Sequence, residues 1–441
     1  MIKKLIIILF VSSILLHLYV NGENHKAIYV GKGGYSSIQD AINNASNGDT
    51  IYVSSGIYYE NIFIGKSINL IGEHPLTTII DGSKGFMPIK IDAIEIAANH
   101  VTISNFTIRN SLADGAGIDV WDHYGDEKIE NCIISNNNYG IHFALSYNNY
   151  VSHCIFYKNG YGIWNKCCCG EKCSGSIFHR NNFTGNEIQA FDQGINEWDG
   201  NYWDDYNGSD VNGDGIGDTP YNISGGNNKD NSPYINPIDV IAPIVKVLFP
   251  NGGEILAGNI TIRWAISDDH DKNPIIIIEY SNDSGEKWHI IDRVSNISKY
   301  NWNTTSLKKG ENYLVRIIAI DKSGNKNCDT SDDTFTIISP PSIKIVKPMK
   351  GYFHFMNRRI MHLPINVTIC IGRINIEVNA SSEIGINKVE FFLDGNKVFT
   401  SNNPPYEWLW KKSFGKHEVI VKAYDNAGNY ESMAISIWKF F

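Results

Sequence analysis

The chain has 441 residues, more than one ordinary compact domain, and its 42% hydrophobic residues with 12% aromatics suffice for about two to four cores. A formal net charge of −9 at pH 7 argues against a nucleic-acid partner, which would need a basic face to neutralise phosphates. The acidic residues fall in clusters, an arrangement that attracts cations.

The N-terminus reads as an export segment. Met1-Ile2-Lys3-Lys4 is a positive flank, Leu5 to Val20 is apolar apart from Ser12, Ser13 and His17, and Val20-Asn21-Gly22 closes it with short residues. This predicts a signal peptide over residues 1–22 and a secreted or cell-surface protein. The alternative is the same segment retained as an N-terminal membrane anchor. Asn-x-Ser/Thr sequons, among them those headed by Asn105, Asn182 and Asn366, agree with an extracytoplasmic chain.

Next comes "YSSIQDAINNASNGDTIYV" (35–53), with Ile38, Ala41, Ile42 and Ala45 on one helical face. Beyond it the chain repeats itself. Gly140-Ile141 returns as Gly162-Ile163 and Cys132-Ile133 as Cys154-Ile155, both at an interval of 22 residues. Looser copies lie at 105–121 and 181–193. Each copy holds short runs alternating apolar with polar, divided by Asn or Gly, the residues that tolerate a left-handed bend. Short strands repeated at such a step predict a parallel β-helix, and the helix near residue 40 would cap its open apolar end.

The opening "IQDAINNASNGDTIYVSSGIYYENIFIGKSINLIGE" and the closing "NEWDGNYWDDYNGSDVNGDGIGDTPYNISGGNNKDNSPY" resemble the end segments of the carbohydrate-binding and sugar-hydrolase (CASH) family, which includes NosD. The resemblance covers roughly residues 28–238. It implies a right-handed parallel β-helix of the pectin-lyase type. It implies little about activity, because one fold hosts lyases, hydrolases and surface proteins.

The tail reads differently. "IAPIVKVLFPNGGEILAGNITIRWAISDD" and "PPSIKIVKPMKGYFHF" each open a stretch of short alternating strands with frequent turns. Two β-sandwiches follow, similar to the immunoglobulin-like modules found in tandem on surface proteins. The expected organisation is all-β: signal peptide 1–22, β-helix 23–240, and Ig-like sandwiches 241–338 and 339–441.

Three groups of residues could carry chemistry. Aligning coils on the Gly-Ile step places Asp119, His142, Trp164 and Asp192 in one outward row, with Ile118, Ile141, Ile163 and Phe191 pointing inward. Acid, imidazole and indole suit a sugar chain, and Asp122 beside them would widen the strip. A non-catalytic role in binding polysaccharide or cell-envelope components is the first expectation. The alternatives are a polysaccharide lyase or glycoside hydrolase, and NosD-like metal handling. Asp119 and Asp192 would stand about 14 Å apart, too far for a hydrolytic pair, and Arg109 or Arg180 would act as a base only with a depressed pKa.

"DVNGDGIGD" has the front of a calcium loop, with Asp210, Asn212, Asp214 and Asp218 as side-chain ligands and Ile216 offering a carbonyl. Tyr221 stands where the usual closing Glu would be. "CCCGEKC" brings Cys167, Cys168, Cys169 and Cys173 into one inserted turn, open to either disulfides or a thiolate-bound metal. Cys132 and Cys154 should be buried free thiols, and Cys328 and Cys370 unpaired.

Overall fold

The computed structural model describes residues 25–84, 91–167, 173–364 and 367–441. The predicted export segment therefore lies outside the described residues. Among the described residues, no helix is long and apolar enough to cross a membrane. Two compact units divide the chain, one ending at Ala242 and the other running from Pro243 to Phe441.

The first unit is a parallel β-helix of three sheets. The second of these sheets stacks Ile62–Ile64, Ile94–Ile96, Ala116–Val120, Tyr139–Ala144, Tyr161–Lys166 and Ile188–Asp192 in that order. The flanking sheets run from Ala27–Val30 to Tyr221–Asn222, which follows Lys229–Asp230 at the edge, and from Gly56–Tyr58 to Tyr202–Trp203. Nearly every strand pair is parallel, with Tyr221–Asn222 against Lys229–Asp230 the antiparallel exception among them.

Local backbone chemistry makes this coil. From residue 100 onward the bends place residues in the left-handed region, and these stack into columns. One column is Asn105, Asn131, His153, Arg180 and Gly200; a second is Asn110, Asn136, Lys158 and Gly185; a third is His100, Asp126, Asn148 and Gly175. A side chain in this region costs about 1 kcal/mol, least for Asn and nothing for Gly. That is why the sequence separates its short strands with Asn and Gly.

Packing follows the same stacking. Ile118, Ile141 and Ile163 are fully buried in successive coils. Aromatic rings stack toward the C-terminal end, Phe156 on Phe183 at 4.7 Å, Phe183 on Trp203 at 4.4 Å and Trp203 on Tyr221 at 4.2 Å. Polar ladders satisfy the buried turns. The Cys154 N–H donates to Asn181 Oδ1 (3.0 Å), that of Asn181 to Asn201 Oδ1 (2.9 Å) and that of Asn201 to Asp230 Oδ2 (2.8 Å). Cys132 and Cys154 continue this inner column as buried free thiols, and Cys328 and Cys370 are also free. The sequon residue Asn182 is buried and exchanges hydrogen bonds with the Ile238 backbone, so it has a structural task.

The helix Ile38–Asn44 buries Ile38, Ala41 and Ile42 in the same core. Glu60 accepts hydrogen bonds from the N–H groups of Ile38 and Gln39 at its start, and Lys66 Nζ donates to the carbonyls of Ile42, Asn43 and Ala45 at its end. A carboxylate at the first turn and an ammonium at the last both oppose the helix dipole.

In the second unit the strands between Ile244 and Ile337 pair among themselves, as do those between Ser342 and Phe440. Each group has its own apolar cluster, around Trp264 and Tyr313 in one and around Phe391 and Trp410 in the other.

Glu127 stands out inside the β-helix. Its Oε2 accepts the Val101 N–H at 2.7 Å, while Oε1 is buried without a hydrogen-bond partner. Burial pushes its carboxyl up to about 8, and neighbouring Asp126 adds to the rise. A folded-state pKa above the unfolded one favours the protonated fold, so this contribution is complete below about pH 4.5 and lost as pH rises through 8. Glu127→Gln should therefore be more stable than the parent at pH 9, by about 1–3 kcal/mol, with the gap closing at pH 5. Thermal melts at the two pH values check this, and an equal gap at both would contradict it.

Candidate functional site

The outward face of the second sheet carries a continuous row. Strand register pairs Phe63 with Glu95, Glu95 with Asp119, Asp119 with His142, His142 with Trp164, and Trp164 with Phe191. Alternation along each strand turns the residues on either side of these inward, Ile94, Ile118, Ile141 and Ile163 among them, which leaves Asp119, His142, Trp164 and Phe191 half-buried on the outer face, while Glu95 in the same row is buried. Asp119, His142 and Trp164 thus lie where the sequence repeat placed them.

Asp192 does not, and its expected role is corrected. It pairs with Asn165, one position beyond the row, and is completely buried. Phe191, expected inside, occupies the outward position, and Ala190 fills the inward place opposite Ile163. The last coil has no Gly-Ile mark, so the repeat offered no anchor for its register. Asp192 is instead a structural hub. It accepts from Asn165 Nδ2 (3.0 Å), the Gly194 N–H (2.8 Å), Asn196 Nδ2 (3.0 Å) and Trp198 Nε1 (2.8 Å).

The acids that do neighbour Asp119 lie on the preceding coil instead. Glu95 precedes Asp119 in the row, and Asp92 lies at the start of the same strand's coil with Oδ1 accepting the Ala116 N–H at 2.6 Å. The Asp92 carboxyl is raised to about 6, chiefly by burial and in smaller part by Asp119 and Glu95, against the lowering effect of the Ala116 N–H and His142. Asp119 Oδ1 and His142 Nδ1 lie 2.6 Å apart, with side chains 17% and 32% exposed. Sequence reasoning missed Asp92 and Glu95; the signal available was an acid flanked by isoleucines at 94–96.

The other end of the row is aromatic. Trp164 stacks on Phe191 at 4.8 Å, and Tyr161 and Tyr139 meet it edge-on at 4.3 Å and 5.2 Å. Tyr139 also lies 5.5 Å from His142. Asp122 is exposed in the turn after Ala116–Val120, outside the row. Arg109 and Arg180 are off this face altogether. Arg109 Nε is bound to Asp81 Oδ2 at 2.8 Å on the third sheet, and Arg180 donates to Tyr234 Oη.

In the 210–218 turn the acidic side chains serve the backbone. Asp210 accepts from the N–H groups of Gly213 and Gly215, Asn212 Oδ1 from that of Asp214, Asp214 from that of Ile216, and Asp218 from that of Val211. Gly213 and Gly215 both take positive φ, +74° and +84°, as a tight loop demands. In the inserted turn the Cys167 and Cys173 sulfurs face each other, with Cα atoms 5.9 Å apart. Cys168 and Cys169 lie outside the described residues.

Asp192→Ala should destabilise the fold by about 3 kcal/mol or more, since it strands several buried donors. Asp119→Ala should cost about 1 kcal/mol or less by the same reasoning. Denaturant unfolding separates the two, and equal losses would contradict the register.

Residues 92–208 match the family described as "Periplasmic copper-binding protein (NosD)", and residues 365–430 match the "Bacterial Ig domain" family. A 92-residue stretch is 35% identical to pectinesterase/pectinesterase inhibitor 22 of Arabidopsis thaliana, covering 18% of this chain and 17% of that protein's length. Among solved structures, similarity extends to the fibronectin(III)-like modules of Clostridium thermocellum CbhA (20% identity, 45% of this chain, 94% of that chain, TM-score 0.24). It extends also to the pectin methylesterase from Yersinia enterocolitica (15% identity, 39% and 57%, TM-score 0.28). Neither overlays closely enough to bear on activity. The chain carries a NosD-like right-handed parallel β-helix and a bacterial Ig-like domain.

Proposed function

We propose that this is an extracytoplasmic protein whose β-helix binds a polysaccharide or another envelope component along the second sheet, displayed by the Ig-like unit. The row Asp119, His142, Trp164 and Phe191 carries this reading. Carboxylates bond sugar hydroxyls, and flat rings offer faces to the apolar sides of a pyranose. An in-register ladder also repeats at about 4.8 Å per strand, so the row extends in one direction as a linear polymer does.

A second reading, hydrolysis of a glycosidic bond, is favoured by one observation. Asp92, raised to about 6, stands in the electrostatic reach of Asp119 and Glu95. Carboxyls pushed apart in pKa divide the roles of acid and of base or nucleophile.

Both readings are tested on the full chain with a panel of neutral and acidic polysaccharides, scoring retention and new chain ends together. Binding predicts retention that falls at least 10-fold in Trp164→Ala, and no retention on any glycan would contradict it. Hydrolysis predicts new chain ends that Asp92→Asn abolishes while retention persists.

Calcium belongs to the proposal as a structural ion in the 210–218 turn, where Asp210, Asn212, Asp214, Asp218 and the Ile216 carbonyl would turn from backbone N–H groups to the cation. Calcium should then raise the melting temperature over chelator, and Asp214→Asn should remove most of that difference. A melting temperature indifferent to calcium would contradict it.

A further inference from the structure

The Ig-like unit holds a cluster that the β-helix reading does not use. Asp394 follows the strand Ile386–Leu393 in the tight turn leading to Asn396–Ser401, with φ +50°. Its N–H donates to the Glu418 carbonyl and its Oδ1 accepts the Glu418 N–H, both at 2.9 Å, so the turn is fastened to the neighbouring strand. Asp394 Oδ2 then lies 2.6 Å from His417 Nδ1. On the other side of the ring, His417 Nε2 lies 2.5 Å from Ser413 Oγ. The Trp410 ring stands edge-on to the imidazole at 5.5 Å.

This order of groups has a chemical consequence. A carboxylate at Nδ1 holds the proton there and leaves the Nε2 lone pair facing the hydroxyl. The histidine is then placed to take the serine proton as Oγ attacks. Such a constellation is defined by geometry and not by the fold that carries it. The His417 side chain is 17% exposed and that of Asp394 48%, so the relay opens to solvent. Lys411, Lys412 and Lys416 around Ser413 are all exposed, which makes its surroundings cationic.

We propose that Ser413 is a nucleophile for acyl transfer, served by His417 and Asp394, and that it takes esters carried on an anionic chain. In the step, the Ser413 Oγ–carbon bond forms while its proton passes to His417 Nε2. The ester carbon–oxygen bond breaks, and the departing alcohol takes that proton. Water, deprotonated by His417, then cleaves the acyl-serine and releases the acid.

The test uses the full chain and a fluorophosphonate probe. Here Oγ–phosphorus bond formation expels fluoride and the serine proton goes to His417. Peptide mass spectrometry should find one label per chain, on Ser413. Labelling should vanish in Ser413→Ala and slow at least 10-fold in both His417→Gln and Asp394→Asn. Unchanged melting of Ser413→Ala establishes that the loss is chemical, and the milder Asp394→Asn keeps the test open if His417→Gln does not fold. Absence of label on Ser413, or a rate indifferent to both partner substitutions, would overturn the proposal and leave a hydrogen-bonded clasp. At low salt the 4-nitrophenyl hemisuccinate should be consumed several-fold faster than the acetate, and equal rates would overturn the anionic substrate.

Discussion

In-register stacking of parallel coils is the constraint on which the β-helix depends. Once strands lie about 4.8 Å apart in fixed register, every position in one coil meets its counterpart in the next. A residue type that suits one level then tends to suit the whole column. The columns of left-handed bends, the buried isoleucines and the asparagine ladder ending at Asp230 all follow from that rule. So does the outward row, which turns single side chains into a strip. The same rule makes the two carboxylates Asp192 and Asp230 alike. Each is buried where a ladder runs out, and each accepts an indole N–H, from Trp198 and Trp203.

Electrostatics divides the acidic residues into those that hold the fold and those that face out. Asp192 and Asp230 are surrounded by donors and exist to be satisfied. Glu127 has one donor at Oε2 and a bare oxygen, so burial favours its protonated form. Asp92 is intermediate, partly buried and next to other acids, which is the environment that puts a carboxyl near neutrality. Asp119, the next acid in the row, is held against His142 Nδ1 at 2.6 Å.

Much of the fold was legible in the sequence because periodicity records register directly. The 22-residue step from His142 to Trp164 gives the strand pairing without any structure, and the thiols of Cys132 and Cys154 fall in one inward column by the same count. Legibility failed where the repeat lost its mark. Phe191 and Asp192 are neighbours with opposite fates, and only the pairing of Trp164 with Phe191 decides which faces solvent. Glu95 sits in a three-residue strand too short to reveal a period. The turn at 210–218 was recognisable as a turn, but the choice of backbone N–H partners for its carboxylates is a matter of loop geometry. Ser413, His417 and Asp394 could not be grouped from sequence, since a strand pairing brings residue 394 to residue 418.

The central claim is that a polymer lies along the outward row of the second sheet. Carboxyl footprinting tests it most directly, by coupling exposed acids to an amine with and without a bound oligosaccharide and mapping the modified residues. The account predicts that bound glycan lowers modification at Asp119, which faces out in the row, while exposed acids elsewhere, Asp122 included, react as before. Protection confined to the 210–218 turn or to the Ig-like unit, with Asp119 unchanged, would contradict it.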